Sequence, residues 1–301
     1  MLKKRIRLTK TRNHQNKLQF NFTDMTQITA TQVNELRKQT GAGMMDCKKA
    51  LTETGGDFEK AIDVLRKKGQ KVAAKRADRD ATEGVVLALI ASDMKSGAVI
   101  CLNCETDFVA KNDSFVELAN SILMIALKEN AKDIEAIKNL SFDSSMKVSD
   151  KLLEQTWVIA EKIELSNYFI IQSEYVAGYI HPGNKLASLV GFNMSCENME
   201  ELGKNIAMQI AAMNPLGIDE SNISADIIDK EMEIGKDLAR KEGKPEDMLE
   251  RIATGRLKKF FKESTLINQV YIKDSKKTIM QYLKEVDSNL QVVDFKRVNL
   301  G

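Results

Sequence analysis

Histidine is nearly absent: the 301 residues hold two, His14 and His181. Acid–base or nucleophilic chemistry built on imidazole has almost nothing to work with. The four cysteines, Cys47, Cys101, Cys104 and Cys196, lack the spacing of a disulfide framework. A chain this long has no need of one, so a reduced, cytosolic setting is the natural reading. Net charge is only +2, which gives no general case for a nucleic-acid or anionic-membrane partner. Apolar runs such as Ile122–Leu127 fall far short of the roughly 20 residues of a membrane span. What remains is a composition with 43% hydrophobic and 29% charged residues, enough for globular cores in two or three domains.

Two strings stand out. Leu36–Leu51 reads LRKQTGAGMMDCKKAL, a Thr-Gly-Ala-Gly turn between two helical patterns. Asn103–Phe115 reads NCETDFVAKNDSF, which runs off a strand into an acidic–aromatic pair, Asp107-Phe108, ahead of a new helix. Neither contains a set of catalytic groups, and both suit surfaces that engage another protein.

The chain organises around them as an α+β protein. Residues 1–24 carry Lys3, Lys4, Arg5, Arg7, Lys10, Arg12 and Lys17 against one acid, Asp24. They read as a disordered basic extension or an upstream start, with an organellar transit peptide as the alternative. Residues 25–79 read as a three-helix module. Thr29 or Thr31 caps the first helix, Gly41 and Gly43 break it, and Met45–Thr54 forms the second. Asp57 caps the third. A first α+β subdomain is expected over 80–164. Val85, Leu87 and Leu89 alternate, Lys95-Ser96-Gly97 turns, and Val99, Cys101 and Asn103 return. A helix with Phe115, Leu118, Ala119, Ile122 and Ile125 on one face follows, then helices near Ile134 and over Ser149–Glu164. The arrangement recurs over 165–301, with a strand at Tyr168–Ile180, a Pro182-Gly183-Asn184 turn, a return at Leu186–Phe192 and a helix at Met199–Met213. Residues 221–261 read as an inserted helical hairpin, with Ile227, Ile234 and Leu238 on one stripe and Leu249, Ile252, Ala253, Leu257 and Phe260 on the other. A helix, Ser275–Glu285, and an edge strand, Gln291–Val298, complete the second sheet.

Several features invite chemistry and decline it. Cys101 and Cys104 form a C-x-x-C, but on a strand residues three apart face opposite ways, and no second Cys/His pair completes a metal site. Gly41 and Gly43 follow a helix rather than a strand, so they do not form a nucleotide loop. Met44 and Met45 are adaptable contact residues if exposed, and small-domain core if not. Phe108 is ambiguous in the same way. A helix starting at Thr106 puts Phe108, Phe115 and Ile122 on one stripe, which the pattern alone favours and which makes Phe108 core. A helix starting near Asp113 or Ser114 leaves Thr106–Lys111 an exposed turn, with Phe108 an aromatic anchor. His181 sits at a hairpin tip and reads as a surface contact.

From Thr26 onward the chain resembles the elongation factor Ts family, the guanine-nucleotide exchange factors of elongation factor Tu. LRKQTGAGMMDCKKAL and NCETDFVAKNDSF match its two signatures. YIHPGNKLASLVGF, GKPEDMLERIATGRLKKFFKESTLINQ and KTIMQYLKE follow in the family's order. The resemblance implies a ubiquitin-associated-like head that holds the nucleotide-binding domain of factor Tu, touched by Arg37, Met44, Met45 and Arg76. It implies that Asp107 and Phe108, within Thr106–Val109, act in exchange, Phe108 as a wedge between two partner helices and Asp107 near the partner's magnesium. It implies that His181 and Gly183 meet another partner domain, and that 221–261 is the family's coiled-coil projection. Residues 1–24 have no family counterpart, and the C-terminal helical extension of some members is lacking.

The resulting expectation is a translation elongation factor, not an enzyme, with no cofactor and no metal of its own. Its partner would be factor Tu, both GDP-bound and nucleotide-free, with a homo-oligomer left open. Its place would be the cytoplasm, or an organelle matrix if residues 1–24 are a transit peptide. The alternative is a ubiquitin-associated-like binding scaffold without exchange activity. A nucleic-acid-binding reading rests on the basic residues 1–17 alone.

Overall fold

Residues 28–300 are described by a computed structural model of the chain. The basic extension expected over residues 1–24 lies outside them. The chain divides between Leu65 and Arg66 into two compact units.

The first unit is helical. α1 (Ala30–Thr40) begins with a capping box: Gln32 N–H donates to Thr29 Oγ1 at 3.2 Å, and Thr29 N–H donates to Gln32 Oε1 at 3.0 Å. It ends at Gly41, whose φ of 65° is open to glycine without strain. α2 (Met44–Glu53) starts one residue earlier than expected, with Gly43 at its N-cap. α3 (Phe58–Arg76) ends within three residues of the expected module boundary at 79, and from Arg66 onward it belongs to the second unit. Val33, Leu36, Cys47, Ala50, Leu51, Ala61 and Leu65 are buried.

The second unit is built on two three-stranded antiparallel sheets. β1 (Glu83–Ile90) and β2 (Ser96–Cys104) form a hairpin, followed by α4 (Asp107–Ala110), α5 (Asp113–Lys128), α6 (Ile134–Asn139) and α7 (Val148–Ile159). β3 (Glu164–Gln172) then pairs on β2. β4 (Tyr175–Ile180) and β5 (Leu186–Phe192) form the second hairpin, followed by α8 (Met199–Met213), α9 (Ala225–Lys241) and α10 (Glu246–Ser264). A small ladder of β6 (Val270–Tyr271) and β7 (Asp274–Thr278), then α11 (Ile279–Val286), lead to β8 (Val292–Asn299), which pairs on β5. The sheet orders β1-β2-β3 and β4-β5-β8 are the same motif used twice: a hairpin, a covering helix, and a late strand added to the second hairpin strand. The α+β class read from the sequence is the class observed.

The two sheets stack on each other. Val86, Val99, Cys101 and Ile171 of the first meet Val176, Ala187, Leu189 and Val298 of the second. α5, α6 and α7 cover the outer face of the first sheet, around Phe115, Ile122 and Ile137. α8 and α11 cover the outer face of the second, around Ile206, Ile210, Ile279 and Phe192. Each sheet is therefore buried on both faces.

Four boundaries differ from the sequence reading, each for a physical reason. The segment expected as one strand, Tyr168–Ile180, is two, because the chain crosses from one sheet to the other at Ser173-Glu174. The helix expected over Ser149–Glu164 stops at Ile159, where Ala160 takes the left-handed conformation (φ 61°). The turn expected at Lys95-Ser96-Gly97 lies earlier, at Ser92–Lys95, and Gly97 is in the strand. A Cβ at Gly97 would lie 2.7 Å from Ile90 Cδ1 and 2.8 Å from Val176 Cγ1, so the glycine permits close sheet stacking rather than a turn. The helix expected over Ser275–Glu285 starts at Ile279, since Asp274–Thr278 is strand.

The helical pair α9–α10 packs chiefly on itself. Its seam differs from the expected stripe. Ile227, Ile234 and Leu238 are partly exposed, while Gly235 and Ala239 are buried, together with Leu249 and Ala253 across the seam. A Cβ at Gly235 would stand 3.0 Å from Ala253 Cα, so small residues bring the backbones together.

Candidate functional site

The Asn103–Phe115 string leaves the sheet at Cys104 and folds as two successive helix starts. Thr106 caps the one-turn α4, with Val109 N–H donating to Thr106 Oγ1 at 3.4 Å. Asn112, in extended backbone, then caps α5, with Ser114 N–H donating to Asn112 Oδ1 at 3.0 Å. This break settles the ambiguity over Phe108. Ala110 and Val109 turn into the core below α5. Phe108 points away and is 84% exposed, whereas Phe115 is 1% exposed. The core alternative for Phe108, which periodicity favoured, fails because the stripe assumes one continuous helix.

Asp107 lies beside Phe108, and its carboxylate accepts from Lys111 Nζ at 2.6 Å. That hydrogen bond first, and the charges of Lys111 and Lys185, outweigh burial and hold the Asp107 carboxyl below its ordinary range. The carboxylate therefore stays ionised near neutral pH.

Lys185 belongs to the β4–β5 turn, which places that hairpin tip at the same end of the second unit. Val86 N–H donates to Asn184 O at 2.7 Å. The turn has Pro182 followed by Gly183 at φ 92°, the positive value a type II turn requires. His181 is exposed there, and its Nδ1 lies 3.0 Å from Tyr179 Oη. Arg76, in the last turn of α3, donates to Glu105 Oε1 at 2.7 Å, next to Thr106. Thr106–Val109, Arg76, His181 and Gly183 thus share one end of the second unit. Arg37, Met44 and Met45 belong to the first, where Met44 and Met45 directly follow the Gly41–Gly43 turn and are 53% and 62% exposed.

Some neighbours carried no sequence signal. Glu161 and Lys162 reach the Glu105-Thr106 turn from 55 to 57 residues away. Lys111 was legible as an i,i+4 partner of Asp107. Cys101 and Cys104 fall on opposite faces of the first sheet, each in a different core. Among the described residues no group of three or more His, Cys, Asp or Glu is placed to hold a metal ion, and no helix is long and apolar enough to cross a membrane.

An exposed aromatic ring, a carboxylate held in its ionised form and an exposed hairpin-tip imidazole are thus presented from tethered turns. The sequence comparisons name the class. The family model described as elongation factor TS matches residues 105–301. The elongation factor Ts of Christiangramia forsetii is 54% identical over 277 residues, which is 92% of this chain and 100% of that protein. That of Flavobacterium psychrophilum is 51% identical over 278 residues, again 92% and 100%. That of Porphyromonas gingivalis is 46% identical over 274 residues, 91% and 98%. The chain belongs to the elongation factor Ts family.

Proposed function

We propose that the chain, a translation elongation factor by family membership, binds elongation factor Tu and promotes exchange of GDP for GTP, with Asp107 and Phe108 carrying the exchange step. The observation that carries this reading is the exposure of Phe108, 84%, on a short turn beside an ionised Asp107. A ring of that size left in water costs free energy that a partner's pocket would recover. Phe108 would wedge between two partner helices, and Asp107 would disturb the region of the partner's magnesium. The exposed Met44 and Met45, with Arg37 and Arg76, would hold the nucleotide-binding domain of factor Tu, and His181 and Gly183 would meet another of its domains. The matched relatives are bacterial proteins, which supports action in the cytoplasm.

Exchange needs no covalent chemistry. The factor must bind nucleotide-free partner more tightly than GDP-bound partner, and the weakening is reciprocal. Each tenfold loss of nucleotide affinity corresponds to about 1.4 kcal/mol of differential binding. One newly buried aromatic and one carboxylate near a cation are of the right size for a few such steps. Calorimetric titration of nucleotide-free and GDP-loaded factor Tu tests the reading. Tighter binding to the nucleotide-free form is expected, by the same factor with which this protein weakens GDP. Equal affinities would instead support the scaffold alternative.

A further inference from the structure

A one-turn helix does not hold itself in place, because nucleation costs more than one hydrogen bond returns. The turn that presents Asp107 and Phe108 is held from outside by two carboxylates that exchange backbone donors. Glu161 Oε2 accepts from the N–H groups of Glu105 at 3.1 Å and Thr106 at 3.0 Å, and Glu161 Oε1 accepts from Thr106 Oγ1 at 2.7 Å. In return, Glu105 Oε1 accepts from Lys162 N–H at 2.6 Å and from Arg76 Nη1 at 2.7 Å. Two dipeptides, Glu105-Thr106 and Glu161-Lys162, thus clamp each other across more than fifty residues of chain. The local backbone is bent to allow it: Ala160, just before Glu161, sits at φ 61°, a conformation an alanine adopts only against a steric cost.

The hydrogen bonds of Glu161 go to Glu105 and Thr106, not to Asp107 or Phe108. It fixes the two N–H groups and the capping hydroxyl that determine where those side chains point. We propose that Glu161 is a positioning residue for nucleotide exchange: its carboxylate locks the Glu105-Thr106 turn so that Asp107 and Phe108 meet the partner in one pre-set orientation. The proposal rests on the exchange function above. Pre-orientation acts on the rate of displacement more than on binding, since the head and the hairpin tip supply the remaining contacts.

The test compares Glu161→Ala and Glu161→Gln with the parent protein in release of labelled GDP from factor Tu over a range of protein concentrations. Amide hydrogen exchange at Glu105 and Thr106 and the melting temperature are measured alongside. For Glu161→Ala, the maximal release rate should fall about tenfold, which corresponds to about 1.4 kcal/mol of lost differential contact, while the half-saturating concentration changes less than about twofold. The two amides should lose protection without global unfolding. Glu161→Gln, which keeps an acceptor oxygen, should lie between the two. A Glu161→Ala protein with unprotected amides and the parent's maximal rate would overturn the lock and leave the exchange function standing. A rise in half-saturating concentration at unchanged maximal rate would also overturn it. A Glu161→Ala protein that unfolds would be set aside for the isosteric Glu161→Gln, and parent-like amide protection and rate there would overturn the proposal. If the parent protein itself fails to release GDP, the exchange function falls, and the positioning role with it. Loss of amide protection in Glu161→Ala would then show only that the carboxylate holds the turn.

Discussion

Replacing Phe108 by alanine separates a contact residue from a core residue. The side chain is 84% exposed, so only about one-sixth of its area leaves water on folding. Full burial of such a ring contributes about 1.5–3 kcal/mol, which puts the folding contribution of Phe108 below about 0.5 kcal/mol. Truncating a buried Phe costs about 3–5 kcal/mol, the expectation for Phe115→Ala at 1% exposure. Urea denaturation followed by circular dichroism should therefore give Phe108→Ala the parent's midpoint and Phe115→Ala a much lower one. In the exchange step the order reverses. A ring buried by the partner is worth about 2 kcal/mol or more, so the maximal rate of GDP release should drop at least about thirtyfold. Destabilisation of Phe108→Ala by more than about 2 kcal/mol would refute the reading of an exposed anchor. So would release at the parent's rate.

Other outcomes follow from particular contacts. Gly235→Val should force α9 and α10 apart, because the glycine Cβ position is 3.0 Å from Ala253 Cα; a loss of about 1–3 kcal/mol, read from the denaturation midpoint, is expected. Burial first, then the charge of Glu161, pushes the Cys104 thiol up to about 12, and burial raises Cys101. Neither should react with iodoacetamide at pH 8 in the native protein, and both should react in urea; native alkylation at Cys104, read by mass spectrometry, would contradict this. Burial alone would raise Glu105, yet the Lys162 N–H and the Arg76 guanidinium outweigh it and lower its pKa. A folded-state pKa below the unfolded one adds stability that is fully present only above the ordinary value of about 4.5 and is lost as pH falls through the lowered value. Glu105→Gln should therefore flatten the acid limb of a stability–pH profile, and an unchanged limb would remove Glu105 from that account.

Local rules carried much of the fold. The Thr29 cap, the Pro182-Gly183 turn, the Met199–Met213 helix and the paired hairpin-then-helix pattern all rest on short-range chemistry and were legible. What was not legible depends on contacts between distant segments. Val85 and Leu87 face one core while Val99 and Cys101 face the other, and Val86 breaks the expected alternation only because a second sheet covers its face. Gly97 looked like a turn residue because its real constraint, the approach of Val176, comes from another hairpin. Ile227, Ile234 and Leu238 formed a convincing stripe, but Gly235 and Ala253 set the seam by closeness rather than by apolar area. At the site, spacing identified Asp107 and Phe108 as notable and misjudged which way Phe108 faces. The cap that decides it is Asn112, just before the Asp113 or Ser114 that the sequence offered, and two caps six residues apart allow either one helix or two. Glu161 could not have been found, since its partners lie across the whole first subdomain.

The most direct measurement is stopped-flow release of labelled GDP from elongation factor Tu against increasing concentrations of this protein, with excess unlabelled nucleotide. The release rate should climb with concentration and saturate well above the spontaneous rate. A rate that stays at the spontaneous value at concentrations where the complex forms would contradict it.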